Sequence, residues 1–188
     1  MIAGLDQTEH ELRPRLAGGP DTSEGGPVHF SPDEPGFWGR CPADYLAPLV
    51  DDAGVPLSIF TMGDPHDPET PTFVVFRMPP HSVLPRHAHD CQRFEVIMQG
   101  SMQAVGPGEG NRQLGVGDVM IAAANEMYGP HVAGPDGFTV AEYFSRLAGA
   151  YEVTLDTKRG PWRRNLLTER GRAMVAPRPS APDEVGPS

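Results

Sequence analysis

HSVLPRHAHDCQRFEVIMQG, residues 81–100, is the stretch of this chain that decides the fold. His87 and His89 are one residue apart in it, and residues 93–98 that follow are rich in strand-forming side chains. Because alternate residues of an extended segment point the same way, both imidazoles can be directed at one point. His131 must reach them from a later part of the chain. Three neutral imidazoles suit a borderline divalent metal, so the stretch predicts a small metal-binding β-barrel.

Composition supports an all-β protein. The chain has 188 residues, of which 38% are hydrophobic and 21% charged, which is typical of one globular domain. It contains 22 glycines and 22 prolines. These residues interrupt helices, whereas many short strands joined by turns tolerate them. A helical bundle is therefore disfavoured.

The strand signals lie between two segments of low complexity. Residues 1–27 predict a flexible N-terminal arm, residues 28–150 the β domain, and residues 176–188 a disordered tail. Residues 151–175 form a C-terminal extension, in which PWRRNLLTERGRAM (161–174) predicts a basic helix or a segment that reaches a neighbouring subunit. Short strands are predicted at 57–62 and 72–78, on both sides of a Gly100-Ser101 turn, on both sides of a Gly117-Asp118 turn within 112–122, and at 138–145.

Charge and leader signals restrict the partners and the compartment. The formal net charge of -10 argues against nucleic acid and against anionic membrane surfaces. No apolar run approaches the ~20 residues that cross a bilayer, and the N-terminus lacks the features of a secretory signal. A cytoplasmic protein is expected. Cys41 and Cys91 are then expected to be two free thiols.

Two motifs resemble those of the cupin superfamily, whose small jelly-roll barrels hold one metal site inside. The first family motif is, loosely, G-x5-H-x-H-x3,4-E-x6-G, and here its histidines fall on His87 and His89 and its last glycine on Gly100. GDVMIAAANEMYGPH (117–131) resembles the second motif. The resemblance covers roughly residues 55–147. It implies an antiparallel jelly-roll β-barrel, one divalent transition metal (Fe, Zn, Mn, Ni or Cu), a small-molecule substrate or ligand, and a homodimer.

The first motif departs from the family pattern at its acidic position. Arg93 stands where the family has a metal-binding Glu, and Glu95 follows two residues later on the same face of the strand. A bulge could make Glu95 the fourth ligand. Alternatively the metal has three His ligands, and Arg93 points into the cavity, where it suits a substrate carboxylate or enolate. A third interpretation makes Glu95 a buried partner of Arg93 or an outward-facing residue.

The second motif departs at two positions. Asn125 stands at a usual turn glycine, and Asn tolerates the left-handed conformation. A strict count places Tyr128 at the ligand position. We expect the Gly-Pro turn after it to deliver His131 as the ligand instead, with Tyr128 as a hydrogen-bond donor beside the metal. Glu142 alternates with apolar residues, so it enters the barrel or lies on a half-exposed face, the commoner outcome for a Glu.

The resemblance implies a metal-dependent protein that acts on a small organic molecule inside the barrel. With iron it would be an oxidoreductase of the dioxygenase kind. With a redox-inert metal it would be an isomerase, cyclase or lyase in which Glu95 or Tyr128 moves the proton. The alternative is a non-enzymatic ligand-binding module, which the loss of the Glu at position 93 favours. The barrel wall is predicted from six apolar residues: Phe73, Val75, Phe94, Ile97, Ile121 and Phe144.

Overall fold

The structure is a computed structural model that describes residues 28–106, 108–168 and 178–179. The predicted N-terminal arm, residues 1–27, lies outside the described residues, as does most of the predicted tail. Within the described part there are two short α-helices, α1 (Ala47–Asp51) and α2 (Leu147–Tyr151), and a 3-10 turn at Asp44–Leu46 directly before α1. The strands are β1 (Leu57–Thr61), β2 (Thr72–Met78), β3 (Ser82–Leu84), β4 (His87–His89), β5 (Arg93–Ala104), β6 (Arg112–Gly115), β7 (Val119–Ala122), β8 (His131–Phe144), β9 (Glu152–Leu155), β10 (Trp162–Asn165) and β11 (Arg178–Pro179).

The strands form two antiparallel sheets. The larger sheet has the order β1-β2-β8-β3-β11, and β5 joins it by pairing with β8 and also with β6 and β7. The smaller sheet has the order β10-β9-β4. The prediction of an all-β antiparallel jelly-roll architecture is confirmed.

The inward faces of the long strands β5 and β8 build the core. Ile97 and Met102 of β5 and Val140 and Phe144 of β8 are almost completely buried and belong to one apolar cluster with residues of β1 and β2. Of the predicted wall residues, Ile97 and Phe144 lie in this core. Phe94 and Ile121 do not, because they alternate onto the outer face, where they are 41% and 75% exposed. Their assignment to the barrel wall was wrong.

The predicted turn at Gly100-Ser101 is also wrong. β5 continues through these residues, and its pairing with β8 shifts register between Ile97 and Gln99 and again between Gly100 and Met102. Gly100 has φ +72°, and a Cβ there would lie 2.1 Å from the carbonyl oxygen of Gly137. The glycine therefore marks an irregularity that bends a continuous strand, not the end of one.

The C-terminal extension differs from its prediction. In the described part of the predicted helix, Trp162–Asn165 is strand β10, which pairs with β9. β9 in turn pairs with β4, the strand that carries His87 and His89. An extended partner was available to these residues, and sheet pairing overrides a weak helical pattern. Within the predicted disordered tail, Arg178–Pro179 pairs with β3.

Two further observations concern cysteines and membranes. Cys41 and Cys91 are both free thiols, as predicted. Among the described residues, no helix is long and apolar enough to cross a membrane.

Candidate ligand and metal site

Strand β4 brings the two predicted histidines to one buried place. His87 is 4% exposed and His89 7%, and their ring centroids are 5.2 Å apart. Nδ1 of His87 lies 2.7 Å from the carbonyl oxygen of Pro85, and Nδ1 of His89 lies 2.5 Å from that of Gly149. A carbonyl oxygen only accepts, so each Nδ1 carries the proton and each Nε2 is left with its lone pair. This is how histidines are held beside a metal or a hydrogen-bond donor.

Three charged side chains lie together across β5 and β8. Arg93 and Glu95 point inward on the same face of β5, and Glu95 is directly opposite Glu142 of β8. Nη1 of Arg93 donates to the carboxyl groups of both Glu95 and Glu142. Among the described residues, Nε and Nη2 of Arg93 and Oε1 of Glu95 are buried without a hydrogen-bond partner. The guanidinium is therefore held through one nitrogen, by two carboxyl groups.

Tyr128 connects these charged residues to the histidines. Its hydroxyl donates to Nε2 of His87 at 3.0 Å, and its backbone forms a bridge with His87. Cζ of Arg93 lies 3.8 Å from the centroid of its ring. A strict count along the second motif puts the ligand at position 128. In the structure the residue at that position, Tyr128, is the one that contacts His87.

His131 contacts Tyr128 and Glu109. It begins β8, is 1% exposed, and stacks on Tyr128 with ring centroids 5.7 Å apart. Its Nε2 lies 3.3 Å from Oε2 of Glu109. The other carboxylate oxygen of Glu109 accepts from the backbone N–H of Gly129, which fixes the turn before His131.

Burial and Arg93 together set the protonation states. Burial first, and the Arg93 charge second, lower the pKa of His87 to about 3. Burial also lowers the pKa of His89. The pKa of Glu95 is lowered because the attraction of Arg93 outweighs its burial, whereas burial and the neighbouring Glu95 raise the pKa of Glu142. Around neutral pH the site therefore holds neutral imidazoles, one guanidinium and one carboxylate, with Glu142 as a neutral acid.

A cavity of about 140 Å³ lies against this group. His87, His89 and Glu142 are the buried polar residues that line it. The rest of its wall is mainly apolar: Leu49, Val55, Leu57, Ile59, Val74, Phe76, Met78, Leu84, Phe144, Ala150, Val153 and Leu166 are among its residues. An apolar cavity with a few convergent polar groups is the usual form of a small-molecule site.

The donors do not fit the predicted metal. The two motifs put metal ligands at positions 87, 89, 93 and 128. His87 and His89 can each offer a nitrogen lone pair to a metal. Arg93 is a cation, and the Tyr128 hydroxyl donates a hydrogen bond to His87. Glu95 is bound by Arg93, and His131 faces Glu109. Among the residues that the structure describes, no three His, Cys, Asp or Glu side chains are arranged to hold a metal ion. The assignment of His87, His89, Glu95 and His131 as the ligands of one metal therefore stays a prediction.

Glu142 and Glu109 belong to the site, although neither was predicted as a site residue. Of the two placements left open for Glu142, the barrel interior is the observed one, since Glu142 is 5% exposed. The signal was present, since Glu142 alternates with Val140 and Phe144, which are buried. Glu109 follows a Gly-rich turn, and nothing in its sequence context indicates a role.

Comparison with known proteins gives fold-level similarity. No protein-family model matches the chain, and no curated protein matches it. Among solved structures, KdgF from Halomonas sp. is 25% identical, with 50% of this chain and 80% of that chain covered and a TM-score of 0.40. An RmlC-like cupin protein from Ralstonia eutropha is 18% identical, with 64% and 73% covered and a TM-score of 0.47. A protein from Klebsiella pneumoniae with a double-stranded β-helix domain is 19% identical, with 54% and 85% covered and a TM-score of 0.42.

The chain's own architecture agrees with the two motifs. The strands that carry them lie in antiparallel sheets around a buried cavity, and Asn125 adopts the left-handed conformation, φ +64°, that its place in the second motif requires. The two motifs and the antiparallel barrel into which they fold are therefore those that the cupin resemblance implies.

Proposed function

We propose that this protein binds a small, uncharged and mostly apolar organic molecule in the barrel cavity, with the polar group of that molecule directed at His89 and Glu142. The observation that carries the proposal is the cavity itself, whose wall is mainly apolar and whose buried polar groups are His87, His89 and Glu142, with the exposed Asp52 also on its wall. An apolar cavity of about 150 Å³ is large enough for benzene. The ligand is therefore about the size of a single aromatic ring.

The charge state of the polar end supports an uncharged ligand. Arg93 is compensated by Glu95, and the raised pKa of Glu142 leaves that acid neutral. His87 Nε2 is occupied by the Tyr128 hydroxyl, whereas no hydrogen bond within the described chain engages Nε2 of His89. The Nε2 of His89 can therefore accept from a ligand hydroxyl, and protonated Glu142 can donate to a ligand oxygen.

Phenol and toluene test the proposal, because they are similar in size and differ in one polar group. We expect both to raise the melting temperature of the wild-type protein, and phenol to bind more tightly by isothermal titration calorimetry, by about 1 kcal/mol for the added hydrogen bond. Val74→Phe, which fills the cavity from β2, should abolish binding of both. Val119→Phe makes the same change on the outer face, where Val119 is 48% exposed, and should leave binding unchanged. Binding that survives Val74→Phe would exclude the cavity.

The second candidate is the metal-dependent enzyme that the cupin resemblance implies, acting as a dioxygenase or as an isomerase, cyclase or lyase. The fixed tautomers of His87 and His89 favour it, since both present Nε2 as metal ligands do. Elemental analysis of protein purified without chelator or an affinity metal distinguishes the two. About one transition metal per chain, lost in His87→Ala/His89→Ala, would establish the metal site that the second candidate requires.

A further inference from the structure

We propose that the Arg93 guanidinium is the resident cation of this site, and that it prevents the neighbouring donors from binding a divalent metal ion. The proposal concerns the charged group beside the cavity, and it does not depend on which molecule the cavity binds.

The side chains around Arg93 are those that a metal would use. Two carboxyl groups, those of Glu95 and Glu142, meet at its Nη1. The histidine pair is linked to the same group through Tyr128, whose hydroxyl contacts Nε2 of His87 and whose ring lies under the guanidinium. Carboxylate oxygens and neutral imidazole nitrogens form a usual donor set for a transition metal. In this chain, those carboxylates hold an arginine instead.

Arg93 cannot move out of the way easily. Its side chain is 1% exposed, and it enters from a strand that is paired on both sides, with Phe144 of β8 and Ala122 of β7 opposite it. The face of Tyr128 further stabilises the cation where it stands. A guanidinium remains protonated at any pH at which the protein is folded. The positive charge of the site is therefore permanent.

A divalent ion among the same donors would have to overcome this charge. It would lie within a few ångströms of the guanidinium in a buried environment, where repulsion between like charges costs several kcal/mol. It would also need the carboxylates that Arg93 now uses. Removing the charge of Arg93 while keeping the carboxylates should therefore create a metal site.

Co²⁺ binding, followed by equilibrium dialysis and by the visible absorption of the bound ion, tests this. We expect wild-type protein to bind no stoichiometric Co²⁺, and Arg93→Gln to bind one ion per chain at least about 100-fold more tightly. Arg93→Lys is the matched control, because it changes the shape but retains the charge, and it should behave like wild type. His87→Ala/His89→Ala/Arg93→Gln should lose the gained site.

Circular dichroism reports whether each variant is folded. If the single variant is unfolded, Arg93→Gln/Glu142→Gln, which leaves one buried acidic side chain instead of two, takes its place in the titration. Wild-type protein that binds one Co²⁺ as tightly as Arg93→Gln would overturn the proposal. So would folded Arg93→Gln and Arg93→Gln/Glu142→Gln that both fail to bind Co²⁺. Phenol binding by wild-type protein is measured separately, so a failure here does not affect the cavity proposal.

Discussion

At the residue scale, one cation organises the buried polar groups. Arg93 is 2% exposed and compensates Glu95, and its charge helps to keep His87 neutral. The free energy needed to remove two charges from water is offset only while the two charges stay paired. Removing one partner leaves an uncompensated buried charge, which strongly destabilises the fold. The two carboxylates that share Arg93 are nevertheless unequal, because the pKa of Glu95 is lowered and that of Glu142 is raised.

This inequality predicts different costs for the same substitution. Glu95→Gln removes the negative charge that compensates Arg93 and should lower the free energy of unfolding by about 3 kcal/mol. Glu142→Gln replaces an acid that is already neutral and should cost about 1 kcal/mol or less. Urea denaturation at neutral pH measures both, and each variant is the control for the other. Equal losses, or a larger loss for Glu142→Gln, would contradict this charge assignment.

The sequence predicts which residues form the site better than it predicts which of them contact one another. It places His87 and His89 in one extended segment with both imidazoles directed at one point, and it predicts that Arg93 and Glu95 share a face. In the structure, both histidines lie on β4 and are buried, and Arg93 and Glu95 share the inner face of β5. The sequence also gives the pairing of Arg93 with Glu95 as one of three alternatives. It favours His131 over Tyr128 as the residue that meets the histidine pair, whereas the structure places the Tyr128 hydroxyl against His87. Which of the two meets the pair depends on how the turn after Asn125 is fixed. Glu109 fixes that turn by accepting from the backbone N–H of Gly129. A contact between two loops leaves no periodic pattern in the sequence from which it could be predicted.

At the element scale, regular strands could be predicted and irregular ones could not. β2 lies at the predicted residues, and β1 ends one residue before its prediction. β5 was predicted as two strands because a Gly-Ser pair is typical of a turn. The local sequence does not contain the reason why it continues, which is that β8 runs beside it over its whole length. The same kind of distant partner converts part of the predicted C-terminal helix into β10.

Gly100 permits this long strand, and its replacement should be costly. Gly100→Ala would put a methyl group 2.1 Å from the carbonyl oxygen of Gly137 and hold a non-glycine residue at φ +72°. Backbone must shift to relieve the contact, so we expect a loss of at least about 3 kcal/mol in the free energy of unfolding. Gly117→Ala is the matched control, since its φ is +88° but nothing lies within 4 Å of the added carbon. That variant should lose only about 1 kcal/mol, and equal losses would show that conformation rather than contact matters.

At the scale of the whole molecule, the inner and outer faces of the larger sheet have different apolar surfaces. The inner face packs in the core and around the cavity. On the outer face, Phe94 of β5 lies opposite Ile121 of β7, and Val119 lies opposite Val96. Ile121 is 75% exposed, and in the described chain β7 pairs only with β5, so one edge of β7 is open. An open edge bearing exposed apolar side chains favours pairing with another chain.

We expect a second copy of this chain to cover that face and to form the predicted homodimer, because an antiparallel edge can pair with its own copy around a two-fold axis. Light scattering should then give twice the chain mass of 20.3 kDa for wild-type protein. Ile121→Glu places a charge in the interface and should give the monomer mass with an unchanged circular dichroism spectrum. Met62→Glu introduces the same charge at a residue that is 72% exposed after β1, outside this face, and should leave the dimer intact. A monomeric wild type would contradict the homodimer, whereas a dimer that survives Ile121→Glu would contradict this face as its interface.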